Sequence, residues 1–177
     1  LGRFRVTQKA SPESPDDVYR SDQARPEDWI MMGNHDTPPI ALVVDRWRET
    51  GALGRHVAYL AGRLTPPGES PAVLAKRLER EPGALVTALF ADLFVGPAAH
   101  VLVFWADLFG ERRIYNRPGD VHEDNWRLRV PADFEEARRA AVARGDAPSV
   151  ERALAWALEA RGLGADGLAA RLGGRGS

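Results

Sequence analysis

Three polar residues in a row, Asn34, His35 and Asp36, follow a short apolar run, Trp29-Ile30-Met31-Met32, and a single glycine, Gly33. Thr37-Pro38-Pro39 comes next, and an apolar pattern of helical spacing begins at Ile40. A strand that ends in polar residues and turns at once into a helix is where an α/β barrel keeps its chemistry. A carboxylate and an imidazole side by side there can grip neighbouring hydroxyls of one sugar ring. The plainer alternative makes Asp36 or Thr37 the N-cap of the helix, with Pro38 at its first position. The order Asp-Thr-Pro assigns the cap to Thr37. His35 and Asp36 are then free, and the pair is expected to face a cleft at the strand's C-terminal end.

A second segment adds to the first. It runs Tyr115-Asn116-Arg117-Pro118-Gly119-Asp120 and then Asn125-Trp126-Arg127-Leu128-Arg129-Val130-Pro131. Asn116 is either a further sugar ligand or an ordinary turn asparagine, and Pro118-Gly119 shapes the turn. Asn34 either orients its loop or touches the sugar. Trp126 either stacks on a ring or packs into a lid or core. Arg127 and Arg129, read as part of an extended strand, point to one side, where one of them can pair with a carboxylate. His56, His100 and His122 lack metal-ligand spacing and read as structural or surface residues. Glu79, Glu81, Glu135 and Glu136 read as solvated helix faces. No metal and no cofactor are expected.

The surrounding pattern says what must position these residues. Phe4 to Gln8 alternates as a short strand does, and residues 10–26, rich in Ser, Pro and Asp, read as an exposed loop. Trp29 to Gly33 reads as a short buried strand. Helices are expected over Ile40 to Glu49, Arg55 to Leu64, Pro71 to Arg80 and Ala84 to Val95, with breaks at Thr50-Gly51, Thr65 to Gly68, Glu81-Pro82-Gly83 and Gly96-Pro97. In the third helix Leu74 and Leu78 form the apolar face, with Val73 beside them. His100 to Trp105 is an apolar, branched and aromatic run of the kind found in strands buried on both faces. Ala106 to Gly110 continues as loop or short helix, and Gly119 to Asn125 is polar loop. Ala132 to Arg144, Pro148 to Ala160 and Ala165 to Leu172 read as three closing helices, with Gly173 to Ser177 a loose end.

Composition narrows the function classes. The formal net charge is −1, which gives no basic surface for nucleic acid and no attraction to an anionic membrane. There is no cysteine, hence no disulfide and no thiolate chemistry, which suits a cytoplasmic protein. No apolar stretch reaches the roughly 18 residues of a membrane span. The 177 residues suffice for one domain with a core, whereas a closed eight-stranded α/β barrel takes about 250. With Leu1 at its start, the chain reads as a fragment.

Gly33-Asn34-His35-Asp36-Thr37, the Asn116-Arg117-Pro118-Gly119 loop and Asn125-Trp126-Arg127-Leu128-Arg129, in this order and spacing, resemble the amylomaltases. These are the 4-α-glucanotransferases of the α-amylase-like barrel clan. The likeness spans roughly residues 1 to 140, and Gly2 to Lys9 is similar to bacterial members. It implies an α/β fold that is the C-terminal portion of a (β/α)8 TIM barrel with additional helices. Trp29 to Gly33 and His100 to Trp105 would be the last two barrel strands. Residues 1–135 would hold barrel strands and active-site loops, and residues 136–177 the closing helices.

The implied reaction is a retaining transfer of α-1,4-glucan segments to the 4-hydroxyl of another glucan, which needs two carboxyl groups about 5 to 5.5 Å apart. In the family both sit on earlier strands, so neither role is assigned here and the isolated chain is expected to be inactive. Asp36 matches the family's third carboxylate, which holds two hydroxyls beside the reacting carbon and stabilises the transition state. His35 matches the neighbouring substrate-binding histidine. Asn116 and Asn34 are further candidate substrate ligands. The expected partners are α-1,4-glucans, maltooligosaccharides and the N-terminal part of the same enzyme. Rival readings are a hydrolytic relative of the clan, a non-catalytic glucan-binding or interaction domain, and a metal phosphohydrolase using a His-Asp pair. The last lacks its helical context and further histidines.

Overall fold

A parallel sheet of three strands in the order β1-β2-β3 carries the loops of interest. In this computed structural model, which describes residues 2–81, 83–164 and 167–174, β1 is Phe4–Val6, β2 is Trp29–Met31 and β3 is His100–Val101. Phe4 lies beside Trp29, and Trp29 beside His100. Parallel neighbours cannot be joined by a tight turn, so the chain must cross over between them. Between β2 and β3 it runs through four helices: α1 (Ile40–Thr50), α2 (Leu53–Leu64), α3 (Pro71–Arg80) and α4 (Ala84–Val95). After β3 come α5 (Trp105–Leu108), α6 (Phe134–Ala143), α7 (Val150–Ala160) and α8 (Leu168–Gly173).

The helix ends follow local chemistry. Ser70 and Ser149 cap α3 and α7 by accepting the amides of Val73 and Arg152, and Pro71 occupies the first turn of α3, where no amide is needed. Gly51, at φ 74°, closes α1 in the left-handed conformation that a glycine adopts without cost. Within α4, every residue from Ala84 to Leu93 except Leu89 is buried, because α2, α3 and α7 surround it. Ile30, Val57, Leu60, Leu64, Leu74 and Leu78 complete the core. Each such buried side chain contributes about 1.5–3 kcal/mol.

Several expectations need correction. The strand expected over His100 to Trp105 ends after Val101; Leu102 and Val103 are 39% and 37% exposed, and Trp105 opens α5. Among the described residues β3 pairs only with β2, and Ile30 and Val101 turn one face of the sheet into the helical core. On the opposite face the rings of Phe4, Trp29 and His100 form a row, with centroids 6.3 and 4.5 Å apart. Val73 is 55% exposed, since it lies a residue off the stripe formed by Leu74 and Leu78.

The 10–26 segment is not all exposed: Ser21 and Ala24 are buried. The Ser21 hydroxyl donates to Asp92 of α4 and accepts from Arg63 of α2, and Arg63 also pairs with Asp92. That polar network fastens the segment to two helices. The three closing helices form, with Gly173 inside the last; residues 165, 166 and 175–177 of those expectations lie outside the described residues. No helix among the described residues is long and apolar enough to cross a membrane.

The start of β2 is anchored by charge. Asp28 is buried; its carboxylate accepts the amides of Arg3 (2.7 Å) and Arg25 (2.9 Å) and Nε of Arg5 (2.6 Å). Arg5 is buried too and donates onward to the carbonyl of Val18. Burial alone would raise the pKa of Asp28, but the two amides and the guanidinium outweigh it and hold the carboxyl at about 2. A depressed folded-state value means stability that is complete above 3.8 and lost as pH falls toward 2. Asp28→Asn is expected to cost about 3–5 kcal/mol at neutral pH, because Arg5 is left buried without its counter-charge. Its stability should also change less than that of the parent between pH 4 and 2. Thermal melts of both proteins across this window test the assignment, and parallel curves would refute it.

Candidate functional site

Gly33 follows β2 and turns the chain into the polar triplet. A side chain at Gly33 would meet the Gln8 amide and the Thr37 hydroxyl, so any larger residue there must push aside the Gln8–Thr37 contact. Nε2 of Gln8 donates to Oγ1 of Thr37 (2.6 Å). The same hydroxyl accepts the amide of Asn34 (2.9 Å) and donates to the Asn34 carbonyl (3.1 Å). Asn34 in turn accepts the Asp36 amide on Oδ1 (2.9 Å), the self-bonding habit of asparagine in turns. Asn34 therefore orients the loop.

Thr37 is thus not the helix cap, and Pro38 is not its first residue. α1 starts at Ile40, and the amide of Ile40 donates to Oδ1 of Asp107 (2.7 Å), a residue of α5. Thr37 is unavailable because its hydroxyl is spent on Gln8 and Asn34. A carboxylate at a helix N-terminus also meets the positive end of the helix dipole. Asp107 is buried and its Oδ2 has no hydrogen-bond partner. Burial pushes its pKa up to about 6, partly opposed by the Ile40 amide.

The triplet projects from this frame. The side chains of His35 and Asp36 are 50% and 44% exposed, with His35 Nε2 3.4 Å from Asp36 Oδ2. The other carboxylate oxygen of Asp36 accepts Nδ2 of Asn116 (2.6 Å). The structure therefore brings His35, Asp36 and Asn116 into direct contact, with Asn34 beneath them. The side chains of His35 and Asp36 both stand about half exposed. A cavity of about 420 Å³ opens one residue beyond Asn116, at Arg117, and neither His35 nor Asp36 lines it. The pair stands on an open shelf at the end of the sheet.

Residues 115–126 close into a loop that aims Asn116. The Trp126 amide donates to the Tyr115 carbonyl (2.9 Å), and Asn125 takes the Arg117 amide on Oδ1 (3.1 Å) and donates to the Asp120 carbonyl (2.9 Å). Trp126 adopts φ 66°, unusual for a residue with a side chain, at a cost of about 1–2 kcal/mol. In that conformation its indole lies 5.3 Å from the His35 ring and edge-on to Tyr115 at 5.3 Å. Half-exposed beside the imidazole, it offers a face on which a pyranose can stack. Residues 127–130 form no strand, so Arg127 and Arg129 do not act as a pair: Arg129 turns back to the carbonyls of Trp126 and Leu128.

His56, His100 and His122 lie apart from the shelf. His56 is stacked on Trp47, His100 on Trp29, and His122 stands beside Asp124. Among the described residues no three His, Cys, Asp or Glu side chains gather as metal ligands would. Sequence reasoning missed Gln8, Asn125 and Asp107. The signal for Asp107 was a lone acid in the apolar run Phe104 to Phe109; Gln8 and Asn125 stood within segments that carry the resemblance, but their supporting roles were not read from them.

No sequence-family pattern matches the chain, and no curated protein matches it either. Solved structures do. An amylomaltase from Streptococcus agalactiae, in complex with acarbose, superposes with a TM-score of 0.52 at 13% identity, over 84% of this chain and 28% of its own. An amylomaltase from Corynebacterium glutamicum gives 0.49 at 23% identity, over 82% of this chain and 24% of its own. The chain thus spans about a quarter of the length of the structures it matches, and it has part of an amylomaltase-like fold.

The Asp107 cap yields a pH prediction. A folded-state value raised from 3.8 to about 6 means stability that is complete below 3.8 and lost as pH rises through 6. His56 acts in the opposite sense: burial, then the Arg55 charge, lowers it from 6.5 to about 4, so stability is lost as pH falls through that range. Only a difference between variants separates the two. Asp107→Asn keeps an oxygen for Ile40 and is expected to remove the alkaline-going loss between pH 4 and 6. Asp107→Ala is expected to cost about 1 kcal/mol even at pH 4, the usual worth of a cap. Denaturant titrations at pH 4 and 7 check both; an unchanged pH dependence in Asp107→Asn assigns the effect to another group.

Proposed function

We propose that this chain is the C-terminal portion of a 4-α-glucanotransferase barrel, with Asp36 as its transition-state-stabilising carboxylate. The observation that carries the reading is the shelf itself. A carboxylate, an imidazole and a carboxamide meet within hydrogen-bonding reach beside an exposed indole, at the C-terminal end of a parallel strand. The likeness of fold to the streptococcal amylomaltase supports it. On this reading residues 1–135 supply barrel strands and site loops, and residues 136–177 the closing helices. The remainder of the barrel, with the nucleophile and the acid/base, comes from sequence outside this chain and completes the cleft over the shelf. The absence of cysteine agrees with a cytoplasmic site of action.

The chemistry follows from where charge develops. A retaining enzyme breaks the α-1,4 bond with one carboxylate attacking the anomeric carbon and an acid protonating the departing oxygen. The sugar ring flattens and gains positive charge. Both oxygens of Asp36 then accept adjacent ring hydroxyls, whose hydrogen bonds strengthen as the ring becomes electron-poor, so binding favours the transition state over the ground state. His35 donates to a hydroxyl of the same sugar. Asn116 holds the carboxylate at its angle, and Trp126 covers the sugar's apolar face. The glycosyl-enzyme is then released to the 4-hydroxyl of another α-1,4-glucan or maltooligosaccharide. When water takes that place the outcome is hydrolysis.

Asp36→Asn in the full-length protein carrying this chain is the test. Asparagine is nearly isosteric and remains able to meet Asn116, so the fold survives. Each hydrogen bond to a charged acceptor is worth about 1.5–3 kcal/mol, so kcat on maltotriose is expected to fall by about 10- to 150-fold for each hydroxyl released. Glucose release and the appearance of longer oligomers are measured together. Activity near that of the parent would make Asp36 a structural residue and end the proposal.

A further inference from the structure

Gln8 sits in the 3-10 turn Thr7–Lys9 that follows β1. Its backbone amide donates to the Met32 carbonyl (3.1 Å), and the Thr7 hydroxyl donates to the Met31 carbonyl (3.2 Å), so the pairing of β1 with β2 carries on past the ends of both strands. From that anchored backbone the Gln8 side chain reaches Thr37 by passing over Gly33. A Cβ at Gly33 would lie 2.4 Å from Nε2 of Gln8 and 2.7 Å from Oγ1 of Thr37. The Gly33 backbone is not in the left-handed region, so its conformation makes no demand for glycine. What the missing side chain leaves room for is the Gln8–Thr37 hydrogen bond.

That bond has a direction. A threonine hydroxyl has one proton and two lone pairs. Oγ1 of Thr37 accepts Nε2 of Gln8 (2.6 Å) and the Asn34 amide (2.9 Å), and its proton goes to the Asn34 carbonyl (3.1 Å), so every capacity is used. Asn34, gripped at both its amide and its carbonyl, presents Oδ1 to the Asp36 amide (2.9 Å). A continuous run of hydrogen bonds thus leads from Gln8 through Thr37 and Asn34 to the backbone of Asp36. Only a donor can open it. An acceptor in place of Nε2 would draw the Thr37 proton away from the Asn34 carbonyl, and Thr37 is buried, out of reach of water that could compensate.

We infer that Gln8 is a positioning residue for Asp36: its carboxamide sets the polarity of the hydrogen bonds that hold the Asn34–Thr37 turn, and through them the angle at which the Asp36 carboxylate meets a glycosyl ring. The inference rests on the reading of Asp36 as the transition-state-stabilising carboxylate. Gln8 acts through Thr37 and Asn34. Its effect therefore falls on the step in which the hydrogen bonds of Asp36 to the sugar strengthen, more than on the binding of the ground state.

Kinetics and hydrogen exchange of the full-length protein carrying this chain test the inference. Gln8→Met keeps the length of the side chain and removes the donor. Its kcat on maltotriose is expected to fall by about 10- to 100-fold, the range for a displaced catalytic group, with KM within about 2-fold of the parent. Gln8→Glu keeps the shape and reverses the bond. Its kcat should fall comparably at pH 7, and its activity relative to the parent should rise by at least about 2-fold between pH 7 and 5, as a carboxyl with an ordinary pKa of about 4.3 begins to regain a proton to donate. Gln8→Met should show no such rise. Hydrogen exchange read by mass spectrometry is independent of turnover: the Asn34 and Asp36 amides should exchange about 10-fold faster in Gln8→Met. Gln8→Asn, still polar but with its donor withdrawn by one methylene, takes the place of Gln8→Met if that variant does not fold. A kcat within about 2-fold of the parent in these variants, where Asp36→Asn is impaired, overturns the positioning role and leaves the reading of Asp36 standing. Unchanged exchange across residues 34–36 also overturns it. Parental activity in Asp36→Asn ends the reading and the inference together.

Discussion

Asp28 carries a negative charge into the interior, and the way that charge is satisfied sets the register of the sheet. Its carboxylate gathers amides from either side, Arg3 before β1 and Arg25 before β2, and locks onto Arg5 within β1. A slip of one residue in the β1–β2 pairing would separate Arg5 from Asp28 and turn every side chain of the strand to the opposite face. With the register fixed, Val6 stands beside Met31, and the chain after β1 is delivered next to the chain after β2. That is how Gln8 reaches Thr37. The position of the triplet is therefore a consequence of an ion pair at the far end of the strand.

The shelf shows the same economy at its other supports. Thr37 both accepts and donates through its hydroxyl, Asn34 accepts the Asp36 amide, and Asn116 donates to the Asp36 carboxylate, roles that an apolar side chain cannot fill. The turn is also held from outside its own segment. Gln8 reaches across from beyond β1, Asp107 caps α1 from α5, and Asn125 ties down the loop that holds Asn116. Trp126 accepts an unfavourable backbone angle to place its ring beside His35, and that strain is held by the hydrogen bonds at both of its backbone groups. The result is a hydrogen-bonded support under the exposed side chains of His35 and Asp36.

Much of this was readable from the sequence where periodicity governs. α1 to α4 appear within a few residues of their expected spans, since apolar spacing and glycine or proline stops are local signals. The triplet and Asn116 were legible as residue types in a loop after an apolar run, and they do meet. The length of β3 was not legible. A run such as His100 to Trp105 has the composition of a doubly covered strand, yet what covers it depends on neighbours that no local pattern encodes. The cap of α1 was misread for a related reason: Asp-Thr-Pro is a good local start signal, but a tertiary contact from Asp107 competes with it, and the Thr37 hydroxyl is drawn away by Gln8. Ser21 shows the limit of composition, for a polar stretch was taken as exposed while its serine lies in a buried network.

The long reach of the Asp107 cap has a consequence for how the chain is made. Ribosomes add about 5–20 residues per second. The 67 positions between Ile40 and Asp107 therefore take roughly 3–13 s to appear. Through that interval α1 has emerged without its carboxylate, and the strongly apolar α4 is complete before β3 exists to extend the sheet. The four helices α1 to α4 are thus synthesised before the residues that complete the sheet and cap α1. The turn that carries His35 and Asp36 therefore leads into a helix whose first amide gains its carboxylate only once residue 107 has been made.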